Sequence, residues 1–178
     1  MLKRIFGYFM DSIQTVVFIL SLYIVVYIFF FMPSEVRGSS MEPTLHTKER
    51  LIINKIIYRF TTPKRGDIIV LKSPRNPDID YIKRVVGEPQ DAIRISGGAL
   101  FVNGQKLSEP FTTAPTYSWD GGIIKEGEEY IVPGGHLFVL GDNRPRSSDS
   151  REFGFIPIES VEGRAVFRYF PPEKVGLL

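Results

Sequence analysis

Few residue types in this chain can carry covalent or acid–base chemistry, because cysteine is absent and histidine occurs only twice. The lack of Cys removes disulfides, thiolate nucleophiles and cysteine-based metal sites together. His46 and His136 are too few for most zinc sites, so no metal and no cofactor is expected, and both read as solvated loop histidines. Hydroxyls and amines remain. A serine hydroxyl is a poor nucleophile until a base removes its proton during attack. A His-based triad needs the imidazole and a carboxylate held in one geometry, and His46 follows Ser40 closely in a polar stretch. Lysine can do the same work if its amine is neutral, which requires its usual pKa of ~10.4 to fall by several units on burial. Lys83 suits that demand: within Tyr81-Ile82-Lys83-Arg84-Val85-Val86, strand alternation puts Tyr81, Lys83 and Val85 on one face. An ammonium there is either a snorkelling edge residue or a desolvated functional amine.

The elements that position these groups come in two textures. Between Asp11 and Pro33 lies a charge-free run, Ser12 to Met32, with Ser12, Gln14, Thr15 and Ser21 as its only polar residues. At ~1.5 Å per residue it spans ~31 Å, the thickness of a bilayer's hydrocarbon core. Residues 1–11 are a short tail, 12–32 a transmembrane anchor helix stopped by Pro33, and 34–178 the soluble domain. Gly38-Ser39-Ser40 offers the small residues of a cleavable signal peptide, but the apolar run exceeds the ~7–15 residues of an ordinary signal core, so an uncleaved anchor is expected. Lys3 and Arg4 precede the run while Arg37, Lys48 and Arg50 follow it, so charge gives no vote on orientation.

From Ser34 onward, short β-branched runs alternate with turn residues: RLIINKIIY, DIIVLK, DYIKRVVG, AIRIS, ALFVN, EEYIVP, GGHLFVLGD and GRAVFRYF. This texture predicts an all-β domain of short antiparallel strands. Phe101 to Leu107 is the clearest hairpin, with Asn103-Gly104 at its turn. Phe111 to Glu129, rich in Gly, Thr and Pro, reads as a long excursion outside the core. The 178 residues suffice for one medium domain, and 22 basic against 20 acidic residues argue against a nucleic-acid binder.

Four segments, in this order, resemble the bacterial-type (type I) signal peptidases, a Ser/Lys-dyad serine protease family. They are Gly38-Ser39-Ser40-Met41-Glu42-Pro43-Thr44-Leu45, Arg65-Gly66-Asp67-Ile68-Ile69-Val70, Tyr81 through Gly87, and Gly141-Asp142-Asn143-Arg144 through Ser147-Ser148-Asp149-Ser150-Arg151. The resemblance runs from the anchor to about Gly163. It implies a signal-peptidase-like catalytic domain with Ser40, the residue before Met41, as nucleophile and Lys83 as general base. It further implies that Ser147 hydrogen-bonds the Lys83 amine, and that Asp149 and Arg151 form an ion pair supporting that loop. Asp142-Asn143 reads as a turn with a supporting role. Gly38 stands where many members carry a second oxyanion-donating Ser, which leaves that donor unassigned. Val36 and Ile82 are expected to line shallow pockets that admit small side chains, typically Ala-x-Ala, from an extended substrate.

The implied reaction is removal of signal peptides from secreted preproteins by a single-pass protein of the bacterial cytoplasmic (inner) membrane, with its catalytic domain on the outer face. Expected partners are signal peptides, the lipid bilayer and the secretion machinery, with no nucleic acid. A self-cleaving repressor-type Ser/Lys peptidase is disfavoured because a membrane span takes the place of its DNA-binding domain. A membrane-tethered β-domain that only binds partners is the other rival, and a plastid or mitochondrial relative is harder to separate.

Overall fold

The computed structural model describes residues 2–178. Helix α1, Leu2–Phe30, begins well before the expected span and ends two residues before Met32. Its stretch Phe6–Phe30, 25 residues with a mean hydropathy of 2.4, is long and apolar enough to cross a membrane and is buried against nothing. The hydroxyls of Ser12, Thr15 and Ser21 donate to the carbonyls of Tyr8, Asp11 and Val17 at 2.8–2.9 Å, so these polar groups are satisfied within the helix. Pro33 does not end the helix. It lies inside strand β1, Phe31–Glu35, opposite Ile52, and β1 is the outermost strand of its sheet, where a missing N–H is tolerated.

The remaining strands are β2 (Arg50–Asn54), β3 (Ile68–Lys72), β4 (Asp80–Gly87), β5 (Ala92–Ser96), β6 (Ala99–Val102), β7 (Gln105–Lys106), β8 (Glu129–Ile131), β9 (His136–Leu140), β10 (Ile156–Pro157), β11 (Val161–Phe170) and β12 (Gly176–Leu177). All pairings are antiparallel, and the domain is all-β as expected. The larger sheet runs β1-β2-β11-β3-β4-β9-β10, with β12 added beside β11, and the smaller runs β7-β6-β5-β8. The β6–β7 hairpin turns at Asn103 and Gly104, both at positive φ (51° and 75°), the geometry of a two-residue type I′ turn.

Two further local expectations fail for identifiable reasons. RLIINKIIY is not one strand: Asn54 Oδ1 accepts the N–H groups of Ile56 and Ile57, both at 3.1 Å, and the chain turns into a short helix α2, Ile57–Phe60. The excursion from Phe111 to Glu129 carries no strand before β8, yet Ile124 is fully buried in the core between the two sheets.

Three apolar clusters hold the domain together. One, including Val86, Phe138, Ile93, Ile95 and Leu100, joins the smaller sheet to the far halves of β4 and β9. A second, with Val36, Met41, Leu45, Ile53 and Val70, lies beneath the loop that follows β1, and Ile82 packs against it. The third, with Ile69, Val85 and Val139, takes in Tyr81. Ile82 and Tyr81 thus face different clusters, which is the alternation expected along β4.

Candidate active site

The loop from Val36 to Glu49 is closed at its base by two backbone hydrogen bonds, Val36 N to Glu49 O at 2.8 Å and Lys48 N to Val36 O at 2.9 Å. Inside it Leu45 N donates to Met41 O at 2.9 Å, while Met41 and Leu45 insert into the apolar cluster below. Burying those two side chains turns the half-buried Ser40 toward β4. There Lys83 Nζ lies 2.9 Å from Ser40 Oγ. The Ser40 N–H makes no hydrogen bond among the described residues and is free to donate to a substrate oxygen.

Lys83 is 3% exposed and stands 5.1 Å from the centroid of the Tyr81 ring on the same strand face. Burial brings its pKa down from 10.5 to about 8; Asp149 and Asp142 pull it up, and Arg151 adds to the lowering. About a tenth of such an amine is therefore neutral at pH 7, far more than of an ordinary lysine. Of the two readings of an ammonium on this face, the structure supports the desolvated one.

The segment after β9 braces this pair. Asp149 and Arg151 form a buried two-point pair, Nε to Oδ1 at 2.8 Å and Nη2 to Oδ2 at 2.9 Å, and Asp149 also accepts the Gly141 N–H. Arg151 spans the loop by donating to the carbonyls of Tyr117, Arg144 and Ser147. Ser147 departs from expectation: its Oγ is buried and makes no hydrogen bond, so it does not hold the Lys83 amine. It crowds Gly141 together with the Ser40 carbonyl, so that a side chain on residue 141 would collide with both Ser147 and Ser40 O. Gly38 lies at φ 97° with no side chain to offer, and its carbonyl accepts from Thr47 Oγ1 at 2.9 Å.

Asp142 and Asn143 do more than turn the chain. Asn143 holds the serine by two bonds, its N–H to Ser40 O and its Nδ2 to Ser39 O, both at 3.0 Å. Asp142 accepts from Arg84 Nε at 2.9 Å and Nη2 at 2.6 Å, and from Thr44 Oγ1 at 2.6 Å, tying β4 to the serine loop. Arg84 in turn lies 4.1 Å from the Phe111 ring centroid, and the fully buried Arg144 pairs with Glu109 at 2.5 Å. Thr44, Arg84 and Arg144 fall inside the segments that carry the resemblance but had no role assigned, and Glu109 lies outside them; their partners lie tens of residues away in sequence. Neither histidine approaches Ser40: His46 faces Lys174 and His136 faces the Gly134 carbonyl.

Beside the dyad, β9 pairs with β4 only from Arg84 onward, and β1 has β2 on one side alone. The edge of β4 from Asp80 to Lys83 and the segment Ser34–Ser40 thus form the walls of an open cleft of about 610 Å³, with Val36 and Ile82 in its lining. A row of unpaired strand N–H and C=O groups on such an edge can accept an extended peptide as an added strand. The site can therefore attack a carbonyl of a peptide laid along the cleft, with the amine taking the serine's proton.

The family model described as signal peptidase, peptidase S26, matches residues 9–170. A probable signal peptidase I-2 of Synechocystis sp. is 43% identical over 146 residues, covering 79% of this chain and 64% of that protein. Signal peptidase I of Bacillus licheniformis is 34% identical over 165 residues, covering 90% of this chain and 88% of that protein. Thylakoidal processing peptidase 1 of Arabidopsis thaliana, a chloroplast protein, is 39% identical over 154 residues, covering 81% of this chain. The chain spans less than two thirds of the Synechocystis protein's length and 43% of the Arabidopsis protein's.

Proposed function

The chain belongs to the signal peptidase family, peptidase S26, and from that membership we propose that it is a membrane-bound serine endopeptidase that removes signal peptides from secreted preproteins. The observation that carries this reading is the 2.9 Å approach of a buried Lys83 amine to Ser40 Oγ in a cleft with free strand edges. Ser40 Oγ attacks the carbonyl after a small residue while Lys83 takes its proton, and the Ser40 N–H donates to the developing oxyanion. Lys83 then gives that proton to the departing amine, which leaves as the new N-terminus of the mature protein. A water, deprotonated by the same amine, releases the acyl group and restores Ser40.

Val36 and Ile82 line the cleft one on each wall and are read as the limits on side-chain size before the cut. Asp149, Arg151 and Ser147 act in this reading by shaping the loop behind Lys83. The helix Leu2–Phe30 anchors the protein in the bacterial cytoplasmic membrane, with the β-domain on the outer face where translocated preproteins emerge beside the secretion machinery. Only Phe31 to Ser39 separate the helix end from Ser40, so the nucleophile works within ~35 Å of the bilayer surface even if that segment were fully extended.

The test is incubation of the full chain and its Ser40→Ala variant with a preprotein in detergent or lipid, locating the cut by mass. Cleavage after a small residue by the wild type alone is expected. Equal cleavage by Ser40→Ala would remove the serine from the mechanism, and loss of activity with a chelator would replace the lysine by a metal.

A further inference from the structure

Asn143 and Asp142 hold the serine loop through Ser39, Ser40 and Thr44; a second set of contacts holds it at its base. Glu49, at the base of the loop, is only 3% exposed and is gripped by two cations. Arg168 Nη1 reaches its Oε2 at 2.9 Å, and Lys174 Nζ reaches its Oε1 at 3.0 Å. Arg168 Nη1 also donates to Thr44 O at 3.1 Å, and Arg168 Nε to Lys174 O at 2.7 Å. Lys174 Nζ further lies 3.3 Å from His46 Nδ1. The segment that supplies Lys174 folds back along β11 through β12, Leu178 N donates to Val166 O at 3.2 Å, and the Leu178 side chain packs against the cluster containing Val36, Met41 and Leu45. Residues 171–178 lie beyond the part of the chain matched by the family model.

A buried carboxylate needs compensation. Burial pushes the Glu49 carboxyl up, but hydrogen bonds from Arg168 and Lys174, a backbone bond at His46 and the Arg168 charge hold it below its ordinary value of 4.5. Glu49 is therefore an anion around which the loop is organised. Its own carbonyl fixes Val36 in the cleft wall, and its guanidinium partner fixes Thr44, four residues beyond Ser40.

We propose that Glu49, Arg168 and Lys174 are positioning residues for the nucleophile, with the segment 171–178 acting as a strap that clamps the base of the serine loop. This rests on Ser40 being the nucleophile. None of the three touches substrate. They act through the placement of Thr44 and the Met41–Leu45 turn, and hence of Ser40 Oγ relative to Lys83. A displacement of about 1 Å in such a pair can cost on the order of a hundredfold in rate.

The experiment compares the full chain with Lys174→Met and Lys174→Arg in detergent, using a preprotein whose cut is located by mass, and follows kcat, KM, thermal unfolding and amide exchange at Glu42 and Leu45. Lys174→Met is expected to lower kcat by roughly tenfold with KM within about twofold and the unfolding midpoint nearly unchanged. The Glu42 and Leu45 amides are expected to exchange faster while those of β3 and β4 do not, and Lys174→Arg is expected to restore both kcat and protection. Unchanged kcat and exchange in Lys174→Met would overturn the proposal. So would a fall in kcat that tracks a fall in unfolding midpoint and is not rescued by Arg. A wild type that cuts no preprotein refutes the proteolytic reading itself, and the nucleophile-positioning role with it.

Discussion

Replacing Lys83 by Met should abolish activity and, at neutral pH, make the protein more stable. The folded-state amine has a pKa of about 8 against 10.5 for an ordinary lysine, with burial as the main cause. Below pH 8 the amine is protonated in both folded and unfolded chains, and the folded state bears the full cost of a buried ammonium. Between pH 8 and 10.5 the folded amine is neutral while the unfolded one still binds a proton, so the cost declines, and above 10.5 it is gone. The fall from 10.5 to about 8 corresponds to roughly 3 kcal/mol at pH 7. Lys83→Met, an unbranched apolar replacement, removes that cost. Circular dichroism melts in detergent should show an unfolding midpoint raised by roughly 6–12 °C at pH 7, with the difference shrinking toward pH 10. With Lys83 as the proposed base, the same displaced pKa should govern the rate. About a tenth of the amine is neutral at pH 7 and about nine tenths at pH 9, so kcat/KM of the wild type should rise about tenfold between them. An unshifted amine would be ~300 times scarcer as free base at pH 7 than this one. A wild type whose activity rises only near pH 10, or a Lys83→Met variant that melts at the wild-type temperature across the pH range, would refute the reasoning.

Arg151→Met leaves Asp149 buried without its partner, which should destabilise the fold by about 3–5 kcal/mol in denaturant titrations; in surviving protein the freed carboxylate should move the alkaline rise of kcat/KM to higher pH. Asn143→Ala removes the Nδ2 bond to Ser39 O. It should lower kcat by roughly tenfold, with about 1 kcal/mol lost in stability, as read by steady-state kinetics beside urea unfolding. Ile82→Ala enlarges one cleft wall, so the cleavage ratio of preproteins bearing Val or Leu before the cut to those bearing Ala should rise by about tenfold or more, measured by competition in one reaction.

What could be read from the amino-acid order followed the range of the forces involved. The all-β architecture, the β6–β7 hairpin and the buried face of β4 were legible because strand alternation and turn chemistry act over two to six residues. Lys83 was legible for the same reason, as an amine on a face otherwise apolar. The RLIINKIIY run misled because β-branched residues alone do not fix a strand: one side-chain oxygen of Asn54 redirected the backbone. Pro33 misled because an edge strand accommodates proline as well as a helix end does. The clamps on the serine loop were invisible locally, since Asn143 meets Ser39 across 104 positions and Lys174 meets Glu49 across 125. Ser40 itself needed the motif, and Ser147 shows the limit of that aid, because its hydroxyl points to no partner.

If Lys83 is the base, as proposed, its chemistry accounts for the buried ion pairs that surround the site. A histidine base near its ordinary pKa can sit beside a carboxylate without losing its function. A lysine cannot, because every unneutralised carboxylate nearby raises an already high pKa and keeps the amine charged. Asp149 and Asp142 both act on Lys83 in that unwanted direction. Each is held by a guanidinium at two points, Asp149 by Arg151 and Asp142 by Arg84, and a paired carboxylate projects a much weaker field than a free one. The carboxylates cannot simply be absent, since Asp149 anchors Gly141 and Asp142 anchors Thr44, the contacts that bring the loops together around Ser40. The arginines let the same groups serve as structural acceptors while desolvation still dominates at Lys83. On this account the proton affinity of the base is set by what is kept away from it, and a variant that frees either carboxylate should impair catalysis even when every atom of the dyad remains in place.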